Sequence, residues 1–246
     1  MTLSGFTFIH NALAGGYPIR EAVMAVRNFC DEIVAVDLES TDGTREVLKS
    51  LGCRVIDGKW GTKAEHTLCN AHAMHTQCKG DVIIHFEADE VWDNTLLREV
   101  IRRLTNGERA LSVWRTQLTE NFQRIRWYPH LVHRVFEPGK GTKDPSRGHT
   151  TKEHETARPI GIEHGQIWDI TNCFRDNYIG RVNQNFELWQ DVKNLKRVPN
   201  HYLEPIKQMN DAEVTKFLSE PHWEWKTTAI NIPAILKHLV GRTLYE

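Results

Sequence analysis

IVAVDLESTDGT at 33–44, followed by KGDVIIHFEADEVWD at 79–93, decides the fold. In each, a short apolar run stops abruptly at acidic and turn-forming residues: Ile33 to Val36 ends at Asp37, and Val82 to Phe86 ends at Glu87-Ala88-Asp89-Glu90. Short continuous apolar runs bounded by turn residues suit strands buried on both faces, the condition of a parallel sheet. Working outward, SGFTFIH (4–10) reads as a strand before them and CRVID (53–57) as one between them. Helical spacing fills the gaps. Ile19, Ala22, Val23, Val26 and Phe29 form one set, with Pro18 suited to a first turn. Val47, Leu48 and Leu51 belong to a helix over 45–51, a further helix is expected over 64–78, and Leu96, Leu97, Val100, Ile101 and Leu104 mark another.

Strands alternating with helices predict an α/β fold with a doubly wound parallel sheet. Ligands bind such sheets at the carboxyl ends of the strands. Asn11, the turn from Asp37 to Thr44, and Glu87 to Glu90 all fall there. After residue 106 the rhythm breaks. Strands are expected at 110–118, 131–137 and finally Ile160 to His164, with a Gly-, Lys- and Thr-rich loop over 138–156. The reading is one domain over 1–165 and a helical C-terminal extension over 166–246 packed on it.

Composition narrows the class. Of 246 residues, 26% are charged and 40% hydrophobic, the balance of an ordinary globular protein. No apolar run approaches the length of a membrane span, and MTLSGFTFIHNALAGG lacks a basic flank before its apolar stretch. Five cysteines, an odd number without framework spacing, suit a reducing compartment, so a cytoplasmic location is expected. Net charge is −1, but residues 98–158 hold thirteen Lys/Arg against seven Asp/Glu. That asymmetry reads either as a local surface for an anion or as chance clustering on a solvated face.

Acids projecting from a strand end can hold a divalent cation through oxygen ligands, and the cation can then neutralise a diphosphate. EADE (87–90) has that character, although acids ahead of a helix also suit its dipole. STDGT after a strand ending in Asp, then a Gly-Asp strand ending in a D-x-D-like motif, resembles the nucleotide-sugar glycosyltransferases of family 2. HNALAGG after the first strand matches the polar Asn usual there. The resemblance covers residues 4–105. It implies a GT-A fold, a Rossmann-type mostly parallel sheet flanked by helices, and transfer of a hexose or pentose from a nucleoside diphosphate-sugar, with a UDP-sugar as the expected donor.

The resemblance also implies roles. Asn11 and Asp37 would surround the donor's base and ribose, with Glu39, Asp42 and Lys63 also at the donor and Glu87 near the ribose or metal. Asp89 would hold Mn2+ or Mg2+ on the diphosphate, and His164, in RPIGIEHGQIW, would complete the metal shell. Glu87 stands where the family has Asp, and Leu38-Glu39 replace a common Asp-Gly. An inverting transfer needs a carboxylate to take the acceptor hydroxyl's proton. Glu155 in KEHET is the first candidate, followed by Asp144 and Asp169. The leaving diphosphate would be stabilised by the cation with Lys63, Arg134, Lys140 or Lys143. The expected acceptor is anionic, either a lipopolysaccharide core sugar or a hydroxymethylated DNA base, the latter exposed or flipped.

Rival readings have their own residues. His66, Cys69, His72, His75 and Cys78 invite zinc. On one helix, however, steps of three wind around the axis, so five ligands cannot share a face. Trp127, Trp168, Trp223 and Trp225 offer stacking surfaces, whereas Trp92 and Trp114 suit the core. A non-catalytic nucleotide-sugar-binding module is the alternative to an enzyme. A nucleotidyltransferase is disfavoured, because NALAGGYPIREA has glycines but a single arginine, Arg20, beyond Pro18.

Overall fold

The structure, a computed structural model, describes residues 1–61, 73–119, 124–125, 129–139, 157–172 and 226–227. Its chain begins with β1 (Leu3–Ile9), α1 (Ile19–Arg27), β2 (Glu32–Asp37), α2 (Thr44–Ser50) and β3 (Arg54–Asp57). Residues 73–77 are helical. They precede β4 (Val82–His85), β5 (Glu90–Trp92) and α3 (Asn94–Thr105). Then come β6 (Leu111–Thr119), β7 (Arg124–Ile125), β8 (His130–Phe136), β9 (Arg158–Pro159), β10 (Ile167–Asn172) and β11 (Lys226–Thr227).

β3, β2, β1 and β4 lie side by side and parallel, in that order. β8 then joins β4 antiparallel, and β6 joins β8 antiparallel. The first half of the sheet therefore has the doubly wound order that the alternation demanded, and the second half is mixed. This is the α/β, GT-A-like arrangement expected, with β3, β2, β1 and β4 as its continuous parallel block. A small layer branches from β6, where β10 runs parallel to it and pairs antiparallel with β5.

Each face of the parallel strands has its own core. Leu3 and Ile9 of β1 pack with Ile19, Val23 and Val26 of α1 and with Leu96, Leu97 and Val100 of α3. Phe6, on the other face, packs with Val34, Val36, Met74, Ile83 and Phe136. This alternation follows from the two-residue period of a strand. The expected helices at 19–29, 45–51 and 96–104 are α1, α2 and α3, and of the one expected over 64–78, residues 73–77 are described as helical.

Two expectations need correction. Ile160 to His164 is not a strand: β9 ends at Pro159, and Ile162–His164 form a 3-10 turn between Gly161 and Gly165. Gly165 has φ +107, a conformation open to glycine that breaks an extended run. The strand lies further on, where Ile167 and Ile170 of β10 are fully buried. The sheet thus continues past the expected boundary at 165, and β11, within the expected helical extension, is a short strand paired with β7. The rest of 173–246 lies outside the described residues, as does most of the 138–156 loop. Among the described residues no helix is long and apolar enough to cross a membrane.

Candidate active site

Three turns meet at the carboxyl ends of β1, β2 and β4. Asn11, following β1, has φ +45 and ties the first turn to the second. Its backbone N–H donates to Ser40 Oγ (2.9 Å), and its side-chain Oδ1 accepts from the Thr41 N–H (2.8 Å). The Asn11 amide nitrogen, thereby oriented, donates to His10 Nε2 at 3.0 Å. His10 Nδ1 lies 2.5 Å from the Leu38 carbonyl oxygen, a contact in which the ring N–H donates. Its face stacks on Trp60, ring centroids 3.9 Å apart and planes within 8°. The Trp60 N–H in turn donates to Glu39 Oε2 (3.2 Å), and Glu39 has φ +57.

The STDGT turn is built around Asp42. Its Oδ2 accepts from the Ala14 N–H at 2.7 Å and its Oδ1 from the Thr44 N–H at 3.0 Å. Burial pushes this carboxyl up, but the Thr44 and Ala14 hydrogen bonds outweigh it and hold it below the ordinary range. Gly43, at φ +90, opens α2 in a conformation that disfavours a Cβ. Asp37, 3% exposed at the end of β2, receives Arg45 Nη1 at 3.0 Å. Arg45 Nη2 meanwhile reaches Asp57 at 2.6 Å.

Beyond β4, the acidic turn is threaded by two arginines. Glu90 is completely buried; its carboxylate accepts from Arg134 Nη2 (2.6 Å) and Nε (3.2 Å) and from Arg115 Nη1 (3.1 Å). The Glu87 N–H also donates to Glu90 Oε2 at 3.1 Å. Arg134 Nη2 continues to Glu87 Oε1 at 2.8 Å, and Arg115 lies 3.7 Å from Glu87 and 3.8 Å from Asp169. Burial pushes the Glu90 carboxyl above the ordinary range, with Arg134 and Arg115 opposing and Glu87 adding to the rise. Arg134 is raised despite its burial, because Glu87 and Glu90 favour its charge.

Asp89 is half-buried beside these groups, and its carbonyl accepts the Ile170 N–H at 3.0 Å. Carboxylate oxygen at a strand end, such as that of Asp89, is the donor type a divalent cation prefers. Among the described residues no three His, Cys, Asp or Glu side chains converge as a ready-made metal cage.

The structure therefore gathers Asn11, Asp37, Glu39, Asp42, Glu87 and Asp89 on the expected edge. Asp169, on β10 opposite Glu90, is 3% exposed and accepts from Gln117 Nε2 at 3.3 Å. His164 sits in the 3-10 turn, 43% exposed, 3.5 Å from Glu163 and close enough to Glu99 of α3 to influence its carboxyl. Glu155, Asp144, Lys63, Lys140 and Lys143 lie outside the described residues.

Trp168 is not a stacking surface. It is 6% exposed in the core, and its Nε1–H donates to Asp93 at 2.8 Å. Trp92 is buried as expected, Trp114 is half-buried, and Trp127, Trp223 and Trp225 lie outside the described residues. Of the Cys/His series, His75 Nδ1 accepts from the Gly139 N–H at 2.9 Å and Cys78 is buried; His66, Cys69 and His72 are outside the described residues. Sequence reasoning missed the His10–Trp60 stack and the roles of Glu90 and Arg115. The KWG segment at the end of β3, a tryptophan among glycines at a strand's carboxyl end, carried the only signal for the stack.

Comparison with known proteins gives a consistent answer. The sequence profile described as Glycosyl transferase family 2 matches residues 9–168. An uncharacterized glycosyltransferase of Rickettsia bellii is 33% identical over 99 residues, covering 40% of this chain and 31% of that protein. The chain thus spans about a third of the length of the curated relatives it matches. Among solved structures, S. aureus TarS 1–349 aligns with TM-score 0.44 at 11% identity, covering 82% of this chain and 68% of that one. Glucosyl-3-phosphoglycerate synthase from Mycobacterium tuberculosis aligns with TM-score 0.37 at 19% identity, covering 47% and 43%.

Proposed function

This chain belongs to glycosyl transferase family 2, and we propose that it moves a sugar from a nucleoside diphosphate-sugar, a UDP-sugar, to an acceptor hydroxyl with inversion at the anomeric carbon. The observation that carries this reading is the meeting of three turns, around Asn11, Asp42 and Asp89, at one edge of the parallel strands.

Asn11, Asp37 and Glu39 line the end for the base and ribose, and the His10–Trp60 pair walls it with aromatic surface. Asp42 holds the turn itself, and Lys63 would serve the diphosphate. Asp89, with Glu87 beside it, would hold Mn2+ or Mg2+. When bound, that cation supplies charge stabilisation to the leaving diphosphate. Glu155 is the proposed base, with Asp144 and Asp169 as alternatives; it would take the proton as the acceptor oxygen attacks opposite the leaving group. Asp169 is already engaged by Gln117 and Arg115, which favours a holding role for it over proton transfer. His164, in the exposed 3-10 turn, is the proposed further metal ligand. A lipopolysaccharide core sugar and a hydroxymethylated DNA base remain the proposed acceptors.

The test is binding of a panel of nucleoside diphosphates with and without Mn2+, comparing wild type with Asp89→Ala. Metal-dependent binding of UDP that the variant loses supports the donor site. Equal binding by both proteins removes Asp89 from it, and no binding under either condition favours a non-catalytic module.

A further inference from the structure

The buried end of the acidic turn is more elaborate than a cation site needs. Arg134, 7% exposed on β8, forks onto Glu90 with two bonds and passes the same Nη2 to Glu87 at 2.8 Å. Glu90 simultaneously receives the Glu87 N–H, so the pair grips both the backbone and the side chain of residue 87. From the other side, the Asp89 carbonyl is pinned to Ile170 of β10. The turn is held at 87 by Arg134 of β8, which pairs with β4, and at 89 by β10, which pairs with β5.

A buried ion pair is weak grounds for expecting stability, since well-packed apolar side chains of similar volume hold two strands together at least as well. What an apolar pair does not do is aim a carboxylate. We infer that Arg134, locked by Glu90, is the positioning residue of the acidic turn, clamping Glu87 so that Asp89 is the carboxylate offered to the cation. This rests on the donor-site reading above. It also gives the glutamate at 87 a physical reason. Its extra methylene spans the gap to a guanidinium seated one strand away, a reach an aspartate at the same position lacks. Glu87 and Asp89 then have separate tasks: the first is held by Arg134, and the second would take the cation.

Manganese binding, followed by electron paramagnetic resonance with and without UDP, tests this without an acceptor. Asp89→Asn is expected to weaken Mn2+ binding in the presence of UDP about 100-fold. Glu87→Gln keeps an oxygen for Arg134 and is expected to weaken it less than about threefold. Arg134→Lys, which keeps the charge but loses the fork, is expected to weaken it about tenfold. The double variant Glu90→Met, Arg134→Met is expected to stay folded by circular dichroism and thermal melting and still lose about tenfold, a loss a merely structural role would not produce.

Wild-type affinity in the folded double variant would overturn the positioning role, as would equal losses in Glu87→Gln and Asp89→Asn. A wild-type protein that binds no Mn2+ with UDP present would overturn the donor site and this inference with it. Losses in Asp89→Asn with none in Arg134→Lys would leave the donor site standing and overturn this inference alone.

Discussion

Replacing Arg134 with Met exposes the energetics of the buried cluster. Glu90 has no solvent exposure and meets Arg134 at 2.6 and 3.2 Å. Removing one partner of such a pair leaves an uncompensated buried charge, at a cost of about 3–5 kcal/mol. Arg115 stays at 3.1 Å and offsets part of this, which sets the expectation at the lower end, about 3 kcal/mol near pH 8. For a domain of this size that corresponds to a fall of about 6–12 °C in Tm.

The deficit must also depend on pH, with a definite sign. The Glu90 carboxyl is raised by burial, and loss of Arg134 raises it further. Between the folded wild type's value and the variant's higher one, the folded variant binds a proton that folded wild type does not. Stability relative to wild type therefore rises as the pH falls through that window, by up to about 1.4 kcal/mol per pH unit. Urea unfolding of both proteins at pH 8 and pH 5.5 measures it. A deficit under about 1 kcal/mol at pH 8, or one that does not shrink at pH 5.5, would refute the reasoning.

Trp60→Ala removes the stacking partner of His10 and is expected to weaken UDP binding about 3- to 10-fold, the worth of one aromatic contact, measured by calorimetric titration. Glu99 is held down to about 2 mainly by its Arg102 hydrogen bond, with Arg103 assisting. Its contribution to stability is present above the ordinary value of 4.5 and is lost as the pH falls through about 2; a carbon-detected NMR titration of the Glu99 carboxyl with a midpoint near 4.5 would contradict this. A Cβ at Gly80 would lie 2.5 Å from Ser4 N and 2.8 Å from Leu3 C, both rigid backbone of β1. Gly80→Ala should therefore cost about 1–3 kcal/mol in chemical denaturation, and a neutral substitution would show that β1 gives way.

The parts of the fold legible in the sequence are those whose cause is local. β1, β2 and β4 announce themselves because their residues are buried on both faces and end in turn-formers, and each acid of the site follows directly from a strand. β10 was not legible. Its sequence, IWDITN, mixes an aspartate and polar residues into the apolar pattern, and Asp169 is accommodated only because Gln117 and Arg115 face it from β6. The same holds for Glu90. It reads as one more acid in a solvated turn until Arg115 and Arg134, 25 and 44 residues away, arrive beside it. His10 and Trp60 are likewise brought together only by the order β3-β2-β1.

The basic segment at 98–158 shows how pairing changes the meaning of a charge count. Arg102 and Arg103 are bound to Glu99, Arg109 lies 3.6 Å from Glu137, and Arg115 and Arg134 enter the acidic turn. Arg102, Arg103, Arg109, Arg115 and Arg134 therefore face acids of this chain, whereas Arg98 and Arg158 are exposed; Arg126, Lys140, Lys143, Arg147 and Lys152 lie outside the described residues. The acidic turn has the opposite imbalance. Among the described residues, Glu87, Glu90 and Asp169 face the guanidiniums of Arg115 and Arg134, with Asp89 in the same turn. In the proposed site, a diphosphate arriving here meets carboxylates of its own sign. At such short range that repulsion is only partly screened by salt. A divalent cation brought in with the donor would oppose that repulsion, as would the proposed Lys63. UDP binding is therefore expected to strengthen when Mn2+ is added, and equal affinity in a calorimetric titration with and without it would count against the proposed cation site.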